Sequence, residues 1–170
     1  MPVSAEVLSA AKSCRGEPLP LNEALLQSVV RWLEAIPYSS WPQQHRRADG
    51  LMRPAMVTDL AWHGFGDATA ALVRSATPLG LRNHREHNRM LSVVMPGATI
   101  DPHTDELGRD WATRMHVPLL TNEDAFFISG GVLHRLKAGF AYEINTRERH
   151  AVWNAGDTPR VHLMFDLHAL

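Results

Sequence analysis

The feature that most constrains this chain begins near Met90. From there, short runs rich in Val, Ile, Leu and Phe recur, broken by turn residues every eight to twelve positions. The runs are Met90–Met95, Ala98–His103, Thr113–Leu120, Ala125–Ser129, Val132–Leu136, Phe140–Asn145, Arg149–Trp153 and Arg160–Asp166. Pro96-Gly97, Gly130-Gly131, Ala138-Gly139 and the longer Asn154–Pro159 segment are among the breaks. About eight short strands with turns between them predict a double-sheet sandwich or barrel. A small barrel of this kind keeps a polar pocket in its mouth.

The chain before Met90 has a different texture. Leu25, Val29, Trp32, Leu33 and Ile36 fall at helical spacing, and Pro37 stops the pattern. Asp67–Ala76 is a second predicted helix, with Asp67 as its N-cap and Pro78 and Gly80 after it. Pro37–Pro54, rich in Pro, Gln, Arg and Ser, reads as an extended connection. The expected organisation is one domain over residues 1–170. A mostly helical or irregular part (1–89) packs on the outer sheet of a β core (90–170).

Composition excludes several classes. At 170 residues the chain suits one domain and is short for two. Basic and acidic residues number 17 and 18, a formal charge of −1, which argues against nucleic acid as a partner. The run Arg82–Arg89 is basic, but it has no interleaved aromatics and reads as a solvated face. No apolar run reaches the roughly 18 residues of a membrane span, and Met1–Glu6 does not open a signal peptide. No membrane association and a cytoplasmic location are therefore expected. The single cysteine, Cys14, excludes a disulfide framework and any multi-cysteine zinc site.

Ten His, and Arg at fifteen of the seventeen basic positions, leave metal and carboxylate chemistry open. In His103-Thr104-Asp105 the first and third residues share one face of an extended strand, so both side chains can meet one ion. Alone, the tripeptide is a weak signal and reads as an exposed strand end with two polar residues. His150 supplies a third ligand from a different predicted strand. Two histidines and one carboxylate with open positions are the arrangement of non-haem Fe(II) oxygenases. Arg160 opens the last strand and can grip a carboxylate with two parallel hydrogen bonds. His162 shares its face, and Arg114 with His116 repeats the pattern on an earlier strand.

Four segments together, Leu91–Asp105, Arg114–Leu119, His150–Asn154 and Arg160–Asp166, resemble the aspartyl/asparaginyl β-hydroxylase family. The resemblance spans roughly residues 90–166. It implies a double-stranded β-helix (jelly-roll, cupin-like) fold and an enzyme that uses Fe(II), 2-oxoglutarate and O2. It further implies that His103 and His150 bind the metal. Arg160 would bind the distal carboxylate of 2-oxoglutarate with help from Ser92, and His116 would lie near the other carboxylate. Arg114 matches an arginine that holds the substrate's carboxylate in the animal peptide-hydroxylating members. Those members have glycine where this chain has Asp105, so the full triad His103, Asp105 and His150 resembles the bacterial relatives. Their second substrate arginine has no counterpart near Ala112.

The expected function is hydroxylation of an unactivated C–H bond in an amino acid or peptidyl side chain. The rival is a non-catalytic or sensory cupin-like metal-binding protein, which keeps the triad without needing Arg160. Asn145 and Trp153 are further candidates for substrate contact. For Asn145 a strand-end turn is the alternative, and for Trp153 a place in the core. His63, His84, His87 and His134 read as surface or structural residues. The residues do not set an oligomeric state.

Overall fold

A computed structural model describes residues 14–41, 55–105 and 108–170. Among the described residues ten strands form two antiparallel sheets. The strands are β1 (Cys14–Pro20), β2 (Ala55–Val57), β3 (Arg85–Val94), β4 (Thr99–His103), β5 (Trp111–Leu120), β6 (Ala125–Ser129), β7 (Val132–His134), β8 (Phe140–Ile144), β9 (His150–Asn154) and β10 (Arg160–His168). The major sheet has the order β1-β8-β5-β10-β3-β2 and the minor sheet β4-β9-β6-β7. The two sheets make an open jelly-roll, as the spacing of the apolar runs predicts.

Two helices, α1 (Glu23–Glu34) and α2 (Phe65–Ala76), cover the outer face of the major sheet. Asn22 caps α1 by accepting a hydrogen bond from the Leu25 amide at 3.1 Å, and Glu23 and Arg31 suit the two ends of the helix dipole. α2 starts two residues before the expected Asp67. Gly64, at φ 72°, occupies the N-cap in the left-handed region, and the following Phe65 is fully buried. Sealing that phenyl ring outweighs the capping preference of Asp67.

The first 89 residues are not purely helical or irregular. β1 pairs with β8, β2 pairs with β3, and β3 itself begins at Arg85 rather than Met90. Both early strands lie on sheet edges, where proline and missing amide donors are tolerated. Most of the expected Pro37–Pro54 connection, residues 42–54, lies outside the described residues.

The larger apolar core fills the space between the helices and the major sheet. It joins Leu26, Leu33, Phe65 and Leu72 to Leu91, Val117, Leu163 and Phe165. A smaller one, with Val94, Phe127, Ile144 and Val152, lies between the two sheets. Most of the candidate site residues line a cavity in that second space.

Candidate active site

Side chains alternate across a strand, so every second residue of β10 faces the inter-sheet space. Val161, Leu163, Phe165 and Leu167 belong to the core under the helices. Arg160 and Met164 line a cavity of about 180 Å³ on the opposite face. β5 adds Arg114 and His116, β3 adds Ser92, and β2 adds Met56. The minor sheet supplies Ile100, His103, Phe127, His150 and Val152, and Asp105 follows β4.

His103 and His150 are direct cross-strand partners on β4 and β9, with ring centroids 4.3 Å apart. Asp105 lies just past the end of β4, its amide donating to the Thr146 carbonyl at 3.0 Å. One potential ligand atom from each of the three residues lies within 4.8 Å of the others. Both imidazoles are oriented from behind. Nδ1 of His103 donates to the Asp101 carbonyl at 2.7 Å, and Nδ1 of His150 to the Glu148 carbonyl at 2.8 Å. A carbonyl only accepts, so each ring carries its proton on Nδ1 and turns the Nε2 lone pair to the cavity. Burial also lowers the pKa of His150, which favours the neutral, ligating form.

Deeper in the cavity the charge is positive and unmatched. Arg160 is 2% exposed and no carboxylate pairs with it among the described residues. Burial pushes its guanidinium down to about 9, so it remains a cation at neutral pH. Its Nη2 donates to Nδ1 of His162 at 2.7 Å, while Nη1 has no hydrogen-bond partner. Ser92 Oγ and both ring nitrogens of His116 are likewise buried and unpartnered. Burial, followed by the charge of Arg160, holds the imidazoles of His116 and His162 well below their usual range. Buried polar groups are nearly always satisfied. Arg160 Nη1, the Ser92 hydroxyl and the one N–H of the neutral His116 ring are therefore three unused donors on one cavity, which fit a small anion with several acceptor oxygens, as a 2-oxoglutarate carboxylate would be.

Arg114 differs from Arg160 because its partners are built in. Its Nε and Nη2 donate to Asp166 Oδ1 and Oδ2 at 2.7 and 2.9 Å, and its Nη1 donates to Asp105 Oδ2 at 2.6 Å. Burial lowers its pKa, but the Asp166 hydrogen bonds and the two carboxylate charges outweigh that and raise it.

Seven of the nine singled-out side chains thus meet around one cavity: Ser92, His103, Asp105, Arg114, His116, His150 and Arg160. The other two do not reach it. Trp153 points to the outer side of the minor sheet, 43% exposed, and packs against Phe126 at 6.0 Å. Asn145 closes an Asx turn, its Oδ1 accepting from the Arg147 amide at 3.3 Å. Asp166, the buried partner of Arg114, is the residue next to the site that sequence reasoning passed over, although its even spacing from Arg160 places it on the same face.

The facing sheets form a jelly-roll and carry a His-x-Asp…His set that could hold a metal ion, and with the family match that follows they make the chain a 2-oxoglutarate- and Fe(II)-dependent oxygenase. Residues 67–169 match the family model for Aspartyl/Asparaginyl beta-hydroxylase, and the chain belongs to that family. No curated protein matches the sequence. Several solved structures share the fold. The non-heme alpha ketoglutarate dependent carbocyclase SnoK from nogalamycin biosynthesis is 14% identical with a TM-score of 0.70, over 98% of this chain and 84% of its own. A Pseudomonas putida prolyl-4-hydroxylase is also 14% identical, with a TM-score of 0.61, over 97% of this chain and 96% of its own. A 2OG-Fe(II) oxygenase family oxidoreductase from Burkholderia pseudomallei gives 13% and 0.62, over 86% and 80%. Among the described residues no helix is long and apolar enough to cross a membrane.

Proposed function

We propose that this protein hydroxylates an unactivated C–H bond in the side chain of an amino acid or peptide. His103, Asp105 and His150 hold the metal, and Arg160, Ser92 and His116 bind 2-oxoglutarate. When bound, Fe(II), 2-oxoglutarate and O2 supply the oxidising power, and 2-oxoglutarate leaves as succinate and CO2. The chain's own residues bind, orient and exclude water. His103 and His150 present Nε2 lone pairs that need no reorientation. Arg160 fixes one end of the co-substrate, with His162 holding the guanidinium in place. Ile100, Phe127 and Val152 give the cavity an apolar wall against which a C–H bond can lie.

One observation carries this reading: the Arg160 cation is buried on the same cavity as the triad, and no carboxylate among the described residues pairs with it. A buried charge without a partner is costly, and a metal-binding protein without a co-substrate has no use for it. The test is Arg160→Met. It is expected to weaken 2-oxoglutarate binding about ten- to a hundred-fold and to leave Fe(II) affinity near that of the unmodified protein. Isothermal titration with each ligand and succinate release during turnover measure both. Unchanged 2-oxoglutarate affinity would favour the non-catalytic, metal-sensing alternative.

A further inference from the structure

We propose that Arg114 is a positioning residue for the metal-facing carboxylate of Asp105, and that Asp166 in turn holds Arg114. This rests on the assignment of His103, Asp105 and His150 to a metal. Arg114 and Asp166 are direct cross-strand partners on β5 and β10 and make a two-bond fork, with Asp166 fully buried. Asp166 is itself held: Asn88 Nδ2 donates to its Oδ2 at 3.0 Å. Asn88 reaches it from a bulge in β3, where its φ is +48°.

The remaining arm of the guanidinium, Nη1, engages only one of the two Asp105 oxygens, Oδ2. The other, Oδ1, faces His103 Nε2 at 3.7 Å. The Asp105 amide is tied to the Thr146 carbonyl, so the residue is fixed at both its backbone and its carboxylate. The two oxygens are therefore sorted: Oδ2 belongs to the arginine and Oδ1 to the metal. A carboxylate arranged this way gives the metal one oxygen and keeps the other positions open.

The same contacts weigh against Arg114 as a substrate anchor. Its charge is matched by two carboxylates of the chain itself. An incoming carboxylate would have to displace one of them. Where glycine replaces the aspartate that guanidinium arm would be released, but here Asp105 occupies it.

Cobalt(II) titration of the full chain, freed of metal with a chelator and followed by visible absorption, tests the proposal. Arg114→Met leaves Asp166 buried without its counter-charge, so the double variant Arg114→Met/Asp166→Asn is made alongside it, with Arg114→Lys and Asp105→Ala. A positioning role predicts about ten- to a hundred-fold weaker cobalt binding in the double variant. It also predicts an altered ligand-field spectrum and partial recovery in Arg114→Lys. Unmodified affinity and spectrum in the double variant, with Asp105→Ala weakened, would overturn the proposal and leave the metal site standing. Unmodified affinity in Asp105→Ala would remove the metal assignment and the proposal together.

Discussion

The two faces of β10 carry opposite chemistry at the same level of burial. All nine residues from Arg160 to His168 are buried. One face (Val161, Leu163, Phe165, Leu167) is apolar and lies under the helices. The other (Arg160, His162, Asp166, His168) is polar and ionic, relieved only by Met164. Burial alone therefore does not separate core from site; the chemistry of the opposing surface does. The apolar face is satisfied by α1 and α2. On the inner face Asp166 has partners from Arg114 and Asn88, and His162 has Arg160. Arg160 Nη1, and Nε2 of His162 and of His168, have no partner among the described residues. Where partners come from the chain the face is structural, and where they are missing it is built for a ligand.

Three measurements sharpen that contrast. The largest effect belongs to the outer face. Phe165→Ala empties a fully buried site and should cost about 3–5 kcal/mol in urea unfolding. Metal affinity of the variant that still folds should match the unmodified protein, and a lost metal site would show that the faces are not separable.

Next comes acid, which acts through the inner face. His116 and His162 have folded-state pKa values well below the ordinary range because burial disfavours their charged forms. The unfolded chain therefore binds more protons than the folded one at mildly acidic pH. Stability is full above about pH 6.5 and falls as pH drops below it, by up to about 1.4 kcal/mol per pH unit for each histidine. Urea midpoints of the metal-free protein at pH 7.5 and 5.5 measure this, and a double variant His116→Phe/His162→Phe should reduce the difference, leaving the smaller share of His134 and His150, whose pKa values burial also lowers.

The smallest effect is expected outside both faces. Trp153→Ala should change stability by about 0.5 kcal/mol or less, since the ring is on the surface. It should leave 2-oxoglutarate affinity unchanged. A large loss of either would put Trp153 back in the pocket.

Much of this was legible because strand periodicity and site chemistry use the same spacing. His103 and Asp105, Arg160 and His162, and Arg114 and His116 are each two apart, and each pair does share a face. The alternation Arg-Val-His-Leu-Met-Phe-Asp was equally visible, but such alternation ordinarily means one wet face. Only the second sheet turns that face into an interior. The early strands were illegible for another reason. Cys14–Pro20 contains two prolines and a glycine and Ala55–Val57 has three residues, so neither has strand texture. They exist because the ends of an already formed sheet accept them. Trp153 was misplaced by a single position, since its neighbour Val152 is the one that lines the cavity.

The pairing of β10 shows how the strand tolerates change. Its ladders with β3 and β5 contain three irregularities, and in each the extra residue lies on the neighbour: between Met90 and His87, between Leu120 and Pro118, and between Thr113 and Trp111. β10 is the straight member against which both partners adjust. Substitution at one of its positions affects either the core or the site. Deleting one residue between Arg160 and Asp166 would exchange the two sets beyond that point. Ionic groups would then lie under the helices and aromatic or aliphatic groups in the cavity. Variation in length should be accepted in the bulged neighbours and refused in β10, which can evolve only by exchanging one side chain for another.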